Sequence, residues 1–144
     1  TTYSTFIGNN AIPIFIYDAL GTLKGKNNNY FQHTDITPTV LSLLGINTSI
    51  VSFGSDAFFD NKKHFVGFAR NTYFLAQDSL ILLYDGEKSS GLYDLSNDSL
   101  MLNNKIDSLH FTNQKNTLET KLKAILQQYN NRLINNKTSL TTTK

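Results

Sequence analysis

Few side chains in this chain have reactive potential, and they are scattered. His33 stands two residues before Asp35-Ile36-Thr37-Pro38-Thr39, and Arg70 follows Gly67-Phe68-Ala69. An imidazole just ahead of a helix can hydrogen-bond a phosphate or sulfate oxygen, with the helix N-terminus adding favourable partial charge. A guanidinium can grip the same kind of anion through two parallel bonds. His33 and Arg70 are therefore the substrate-proximal candidates. Each also has a structural reading, which the sequence favours: His33 in solvent or tethering a loop, Arg70 paired with Asp56, Asp85 or Asp94. Asp35 offers a carboxylate for a metal or for general-base work, but its place before Ile36-Thr37-Pro38-Thr39 fits a helix N-cap better.

Other reactive constellations fail on spacing. His64 and His110 have no second His or carboxylate at ligand spacing, and no HExxH frame exists. Gly21-Thr22-Leu23-Lys24-Gly25-Lys26 resembles a phosphate loop, yet the leading position is Leu20 and Asn27 replaces the metal-binding Ser or Thr. Gly54-Ser55-Asp56 lacks the Gly two residues before the Ser that a nucleophile elbow requires. The chain has no cysteine, which removes thiol nucleophiles, disulfides and thiolate zinc sites. No catalytic residue and no metal ligand is assigned to it.

The elements that would position these groups are legible from pattern. Ala11 to Tyr17 is apolar on both sides of a pleat, which predicts a buried strand in a sheet covered on both faces. Asp18 to Asn29, with two Gly and an Asn run, predicts a surface loop. The next segment reads as a helix with Asp35 as N-cap, Pro38 in the first turn and Gly45 at the C′ position. Ile36, Val40, Leu43 and Leu44 form a stripe predicted to lie on the sheet. From Phe65 the pattern turns antiparallel: Thr72 to Leu75, Ser79 to Tyr84 and Leu92 to Leu95 predict a meander of three strands, with turns at Gln77-Asp78 and Asp85-Gly86. Thr117 to about Asn135 recurs at helical spacing, with Glu119 near the favourable N-terminal end. Its polar face is rich in Gln and Asn, so its apolar stripe is expected to pack on its own domain and not on a membrane.

Length and composition bound the class. A chain of 144 residues with 40% hydrophobic and 17% charged content can bury a real core and is not a disordered tail. No run approaches the roughly 20 apolar residues of a membrane span, and the N-terminus has no basic-then-apolar signal pattern. A net charge of +2 with scattered basic residues predicts no nucleic-acid partner.

Five blocks in order carry a resemblance: the strand Ile12-Pro13-Ile14-Phe15-Ile16; the helix opening Asp35-Ile36-Thr37-Pro38-Thr39 and closing Leu44-Gly45; Phe53-Gly54-Ser55-Asp56; Phe68-Ala69-Arg70-Asn71; and Gly91-Leu92-Tyr93-Asp94-Leu95-Ser96-Asn97-Asp98, with Ser99 where Pro is usual. From about Ile12 to Asn104 the chain resembles the C-terminal part of sulfatase-like enzymes of the alkaline phosphatase superfamily, and leans towards the lipoteichoic acid synthase-like phosphoglycerol transferases. The resemblance implies an α/β fold, the C-terminal portion of an alkaline-phosphatase-like α/β sandwich. Residues 1–60 would be the βα portion of the catalytic domain, 61–136 a small β-meander plus helix, and 137–144 a disordered tail. It implies a parent whose Thr, Ser or modified Cys nucleophile and whose divalent metal, manganese-like or calcium, are held upstream of Ile12. This chain would carry no cofactor itself. Its partners would be that upstream portion and, in the parent, a phosphoglycerol lipid or a sulfate or phosphate ester. The location implied is the extracytoplasmic side of a bacterial membrane. Two other expectations stand beside it: a free-standing, non-catalytic binding module, and a second copy pairing with the exposed edge of the Ile12 strand.

Overall fold

The computed structural model describes residues 6–59 and 64–140. It is a mixed α/β fold: the helix α1 (Ile36–Leu43), the strands β1 (His64–Ala69), β2 (Thr72–Gln77), β3 (Leu80–Tyr84) and β4 (Ser89–Asp94), and the long helix α2 (Thr112–Ile134). The strands form one antiparallel sheet in sequence order. Three strands of this meander were legible; β1 is the fourth. It joins β2 through Arg70-Asn71, both at positive φ (51° and 58°), the backbone of a two-residue hairpin turn whose twist matches its strands. The usual Asn-Gly or Asp-Gly signal is missing there, which hides the hairpin from sequence.

The register explains the core. Val66 pairs with Leu75, Leu75 with Leu82, and Leu82 with Leu92, which makes an apolar row straight across one face. Leu75, Leu82 and Leu92 are fully buried there against Leu118 and Leu122 of α2. Polar contacts fix α2 on this face: the Ser89 hydroxyl donates to Glu119 Oε2 (2.6 Å) and Lys121 Nζ donates to Gln77 Oε1 (2.7 Å). α2 starts earlier than expected, at Thr112. On the opposite face Phe74, Ala76 and Ile81 are covered by Phe6, Ile7, Tyr30, Leu95 and Met101. The Phe74 ring lies over Gly67, where an added Cβ would come within 2.2 Å of Cζ. Phe6 and Phe65 hold that ring edge-on from two sides.

Both outer edges of the sheet are engaged. On β4, the Leu92 N–H donates to Asn104 Oδ1 and the Leu92 carbonyl accepts from the Lys105 N–H. On β1, the Val66 N–H donates to Gln32 Oε1 (3.0 Å).

Two expectations are corrected. Residues 11–18 form no strand, and Phe15 and Tyr17 are 89% and 91% exposed. Of the stripe expected to lie on the sheet, Ile36 and Val40 of α1 and Leu44 at its C-cap are exposed and Leu43 is half-buried, while Thr39 is the residue that helix buries. The reason for the first is tertiary: an apolar run takes strand form only where a neighbouring strand bonds it, and the strands of the described sheet pair with one another in the order β1-β2-β3-β4. The predicted disordered tail falls partly on 141–144, outside the described residues; 137–140 carry no helix or strand.

Truncating the buried row should be costly. Leu82→Ala is expected to lower unfolding free energy by about 2–5 kcal/mol. Gly67→Ala should also destabilise, because the Phe74 ring is held by two other rings and cannot swing away. Urea denaturation followed by circular dichroism checks both, and wild-type midpoints would overturn the packing described.

Candidate functional site

A cluster of polar interactions lies at the start of α1. Gln32 to Asp35 form a tight turn, His33–Asp35 being a single 3-10 turn that runs into the helix. Asp35 is 1% exposed. Its backbone is already helical (φ −82°, ψ −15°), so its carboxylate does not cap forward as an ideal N-cap does. It turns back instead: Oδ2 accepts from the Gln32 N–H (2.9 Å), as in the reciprocal half of a capping box. Oδ1 accepts from the Ser55 N–H (2.9 Å), twenty residues away.

The segment 52–57 is fitted around this carboxylate. Gly54 lies so close to the turn that an added Cβ would stand 2.0 Å from the Thr34 carbonyl oxygen. Only glycine permits that approach. The Ser52 hydroxyl accepts from the Gly54 N–H (3.0 Å), and the buried Thr39 hydroxyl accepts from the Ala57 N–H (3.0 Å). Asp56 Oδ1 accepts from the N–H groups of Phe58 and Phe59. Asn27 Nδ2 reaches the Ala57 carbonyl (3.0 Å), and the Phe53 ring packs on Tyr129 of α2 (centroids 4.8 Å apart) with Arg132 5.9 Å from its centre. Gln32 completes the arrangement by holding the edge of β1.

A second turn closes the sheet. Asp94 accepts from the hydroxyl and N–H of Ser96 and from Asn97 Nδ2. The Ser96 hydroxyl, then Asn97 and Ser79, hold its carboxyl down at about 2. Asp18 is likewise lowered to about 2 by the Thr22 hydroxyl and the N–H groups of Leu23 and Leu20.

The two substrate-proximal candidates lie on separate elements. His33 is exposed beside the Asp35 lock, and Arg70 is exposed at the tip of the β1–β2 turn. Arg70 is four residues beyond Val66, which Gln32 contacts, or about 13 Å along a strand. Among the described residues no bond joins His33 to Arg70, and Arg70 makes no ion pair with Asp85 or Asp94, whose carboxylates serve their own turns. His64 lies on β1 and His110 packs edge-on against Phe111. An open groove of about 640 Å³ runs between α1 and the following segment, lined by Pro38, Leu41, Ile46, Ile50 and Asp56 among others. Sequence reasoning missed Gln32, Thr39 and Gly54. The Phe-Gly-Ser-Asp block carried a signal for the last, since a glycine inside a polar turn marks close backbone approach.

No family model matches the chain, and no curated protein matches it. Among solved structures, it is similar to that of BT4656 in complex with its substrate D-glucosamine-2-N,6-O-disulfate, with 15% identity and a TM-score of 0.49 over 67% of this chain. The match covers 24% of that protein, so the chain spans about a quarter of its length.

Two outcomes are expected. Asp35→Ala leaves the half-buried N–H groups of Gln32 and Ser55 without these acceptors, at about 1 kcal/mol each, and Gly54→Ala drives a methyl into backbone. Both should abolish hydrogen-exchange protection of the Ser55 amide, and retained protection in either variant would refute the lock. The second concerns acid. Folded carboxyls lowered from 3.8 contribute stability that is complete above the unfolded value and lost as pH falls through the folded one. The turns at Asp18 and Asp94 should therefore stay intact at pH 4 and loosen towards pH 2, with carboxyl NMR titrations centred near 2; midpoints near 3.8 would refute the bonds.

Proposed function

We propose that this chain is the C-terminal, non-catalytic portion of a metal-dependent, sulfatase-like enzyme of the alkaline phosphatase superfamily, of the lipoteichoic acid synthase-like kind that transfers phosphoglycerol. The observation that carries this reading is the Asp35 lock. The helix opening and the Phe53-Gly54-Ser55-Asp56 block, two of the blocks on which the resemblance rests, are in direct contact through one buried carboxylate and one obligatory glycine. Blocks matched by chance have no reason to fit each other so closely.

In this reading the nucleophile and the divalent metal, manganese-like or calcium, belong to upstream residues. Among the described residues no three His, Asp or Glu side chains are grouped to hold such an ion, and this reading assigns the chemical steps to the upstream portion. This chain's part is to shape and support. It presents His33 at a helix start and Arg70 on a hairpin tip, where each is free to meet an anionic phosphate or sulfate ester brought by the upstream portion. The parent would act on the extracytoplasmic side of a bacterial membrane, anchored by upstream helices. No described helix here is long and apolar enough to cross a membrane.

The purified 144-residue chain is expected to show no turnover of bis-p-nitrophenyl phosphate, p-nitrophenyl phosphate or nitrocatechol sulfate with manganese, magnesium or calcium. Turnover that co-purifies with the chain and is abolished by chelator would overturn the reading. The reading frame upstream of Thr1 should encode an Asp-His pair and, farther upstream, a Thr or Ser nucleophile. A Cys-x-Pro-x-Arg site would instead make the parent a sulfatase.

A further inference from the structure

Among the described residues, five other than glycine hold positive φ: Arg70, Asn71, Asp78, Met101 and Asn136. Asn and Asp tolerate this backbone because their short side chains bond locally. Met101 packs on the face of the sheet that holds Phe74. Arg70 has neither reason to be there. Its side chain is exposed, and among the described residues its guanidinium makes no hydrogen bond or ion pair. Glycine or asparagine would hold the same turn with less strain. A strained side chain that neither packs nor bonds within its own fold marks a position kept for a ligand.

Beside this turn lies an aromatic row. Phe68 pairs with Tyr73, and Tyr73 with Tyr84, across three strands on the face that carries α2. Exposure rises towards the hairpin tip: Tyr84 is buried, Tyr73 half-buried and Phe68 57% exposed. The rings of Phe68 and Tyr73 stand 4.6 Å apart, tilted by 50°, so Tyr73 props Phe68 while most of that ring stays open. Arg70 follows Phe68 within about 7 Å of extended chain. At the other end of the row Lys123 lies 5.3 Å from the Tyr84 ring centre, paired with Glu119.

We propose that the β1–β2 hairpin tip is a binding subsite for an anionic saccharide: a pyranose rests its C–H face on the open Phe68 ring, the Arg70 guanidinium takes its phosphate or sulfate, and the Asn71 amide takes a hydroxyl. This deepens the function proposed above and rests on it for the ester that the ligand carries; the sugar ring is what the hairpin adds. An apolar surface beside a few polar groups that fix orientation is the usual make-up of a small-molecule site. Glycerol phosphate would satisfy Arg70 but has no ring face to cover Phe68. An apolar peptide would cover Phe68 and leave Arg70 without an anion. A nucleotide base would stack on one ring, but two rings tilted by 50° form no parallel clamp for it.

Amide NMR of the nitrogen-15-labelled 144-residue chain tests the subsite by titration with glucose 6-phosphate, glycerol 3-phosphate, glucose and adenosine monophosphate. Glucose 6-phosphate is expected to shift the amides from Phe68 to Tyr73 saturably and to bind at least about 10-fold more tightly than each of the other three. Phe68→Ala and Arg70→Asn should each weaken it at least about 10-fold, with the circular dichroism of the sheet retained. Arg70→Asn should also raise the melting temperature, because asparagine suits left-handed backbone better. A lowered melting temperature would make Arg70 a structural residue and overturn the inference. So would shifts that do not saturate, or glycerol 3-phosphate or adenosine monophosphate binding as tightly as glucose 6-phosphate. An upstream frame without nucleophile or metal ligands overturns the functional reading, whatever the hairpin binds. A catalytic frame with an unresponsive hairpin overturns this inference alone.

Discussion

The constraint on which the rest depends is the burial of the Asp35 carboxylate. A carboxylate removed from water must be met by donors, and here backbone N–H groups of Gln32 and Ser55 meet it from two parts of the chain. That requirement dictates the neighbouring residues. Ser55 can reach Asp35 only if the preceding residue comes within contact of the Thr34 carbonyl, so position 54 is glycine. Thr39, one turn into α1, extends the same seam by accepting from Ala57. Gln32, the residue whose N–H Asp35 holds, uses its side chain to bond β1. One buried side chain thus joins a turn, a helix start, a distant loop and, through Gln32, a sheet edge.

From this seam the two parts of the chain are tied by bonds of different kinds. Phe53 reaches α2 through Tyr129 and Arg132, and Tyr30 packs on Phe65 while its hydroxyl donates to the Asp78 carbonyl. The central row of the sheet is buried beneath α2, its other face is covered by Phe6, Ile7 and Tyr30, and its edges are engaged by side chains and loops. Engaged edges resist pairing with foreign strands, which matters for a chain that elsewhere presents an apolar segment.

What the sequence disclosed and what it concealed follow from what pattern can report. Turn chemistry and alternation placed β2, β3 and β4, because Asp85-Gly86 and the alternating apolar residues are local signals. β1 was hidden because Arg70 and Asn71 adopt left-handed backbone without glycine. Helical spacing found α2 but not its first turn, whose residues Thr112 to Asn116 are polar. Asp35 was legible as a group that satisfies backbone donors. Its true partners were not, since the Ser55 contact is long-range and the helical dihedrals of Asp35 turn the side chain backward. The strand expected at 11–17 and the α1 stripe expected to lie on the sheet are both exposed instead, because periodicity reports that residues are apolar and not which neighbours cover them.

Asp35, Thr39, Asp56, Asp94 and Asn104 each accept from backbone N–H groups. The polar investment of this chain goes into fixing loops, while His33 and Arg70 stand exposed on elements those loops hold still. Carboxylates and amides hold the loops in place, and the two exposed side chains stand on the helix start and the hairpin that this bonding braces.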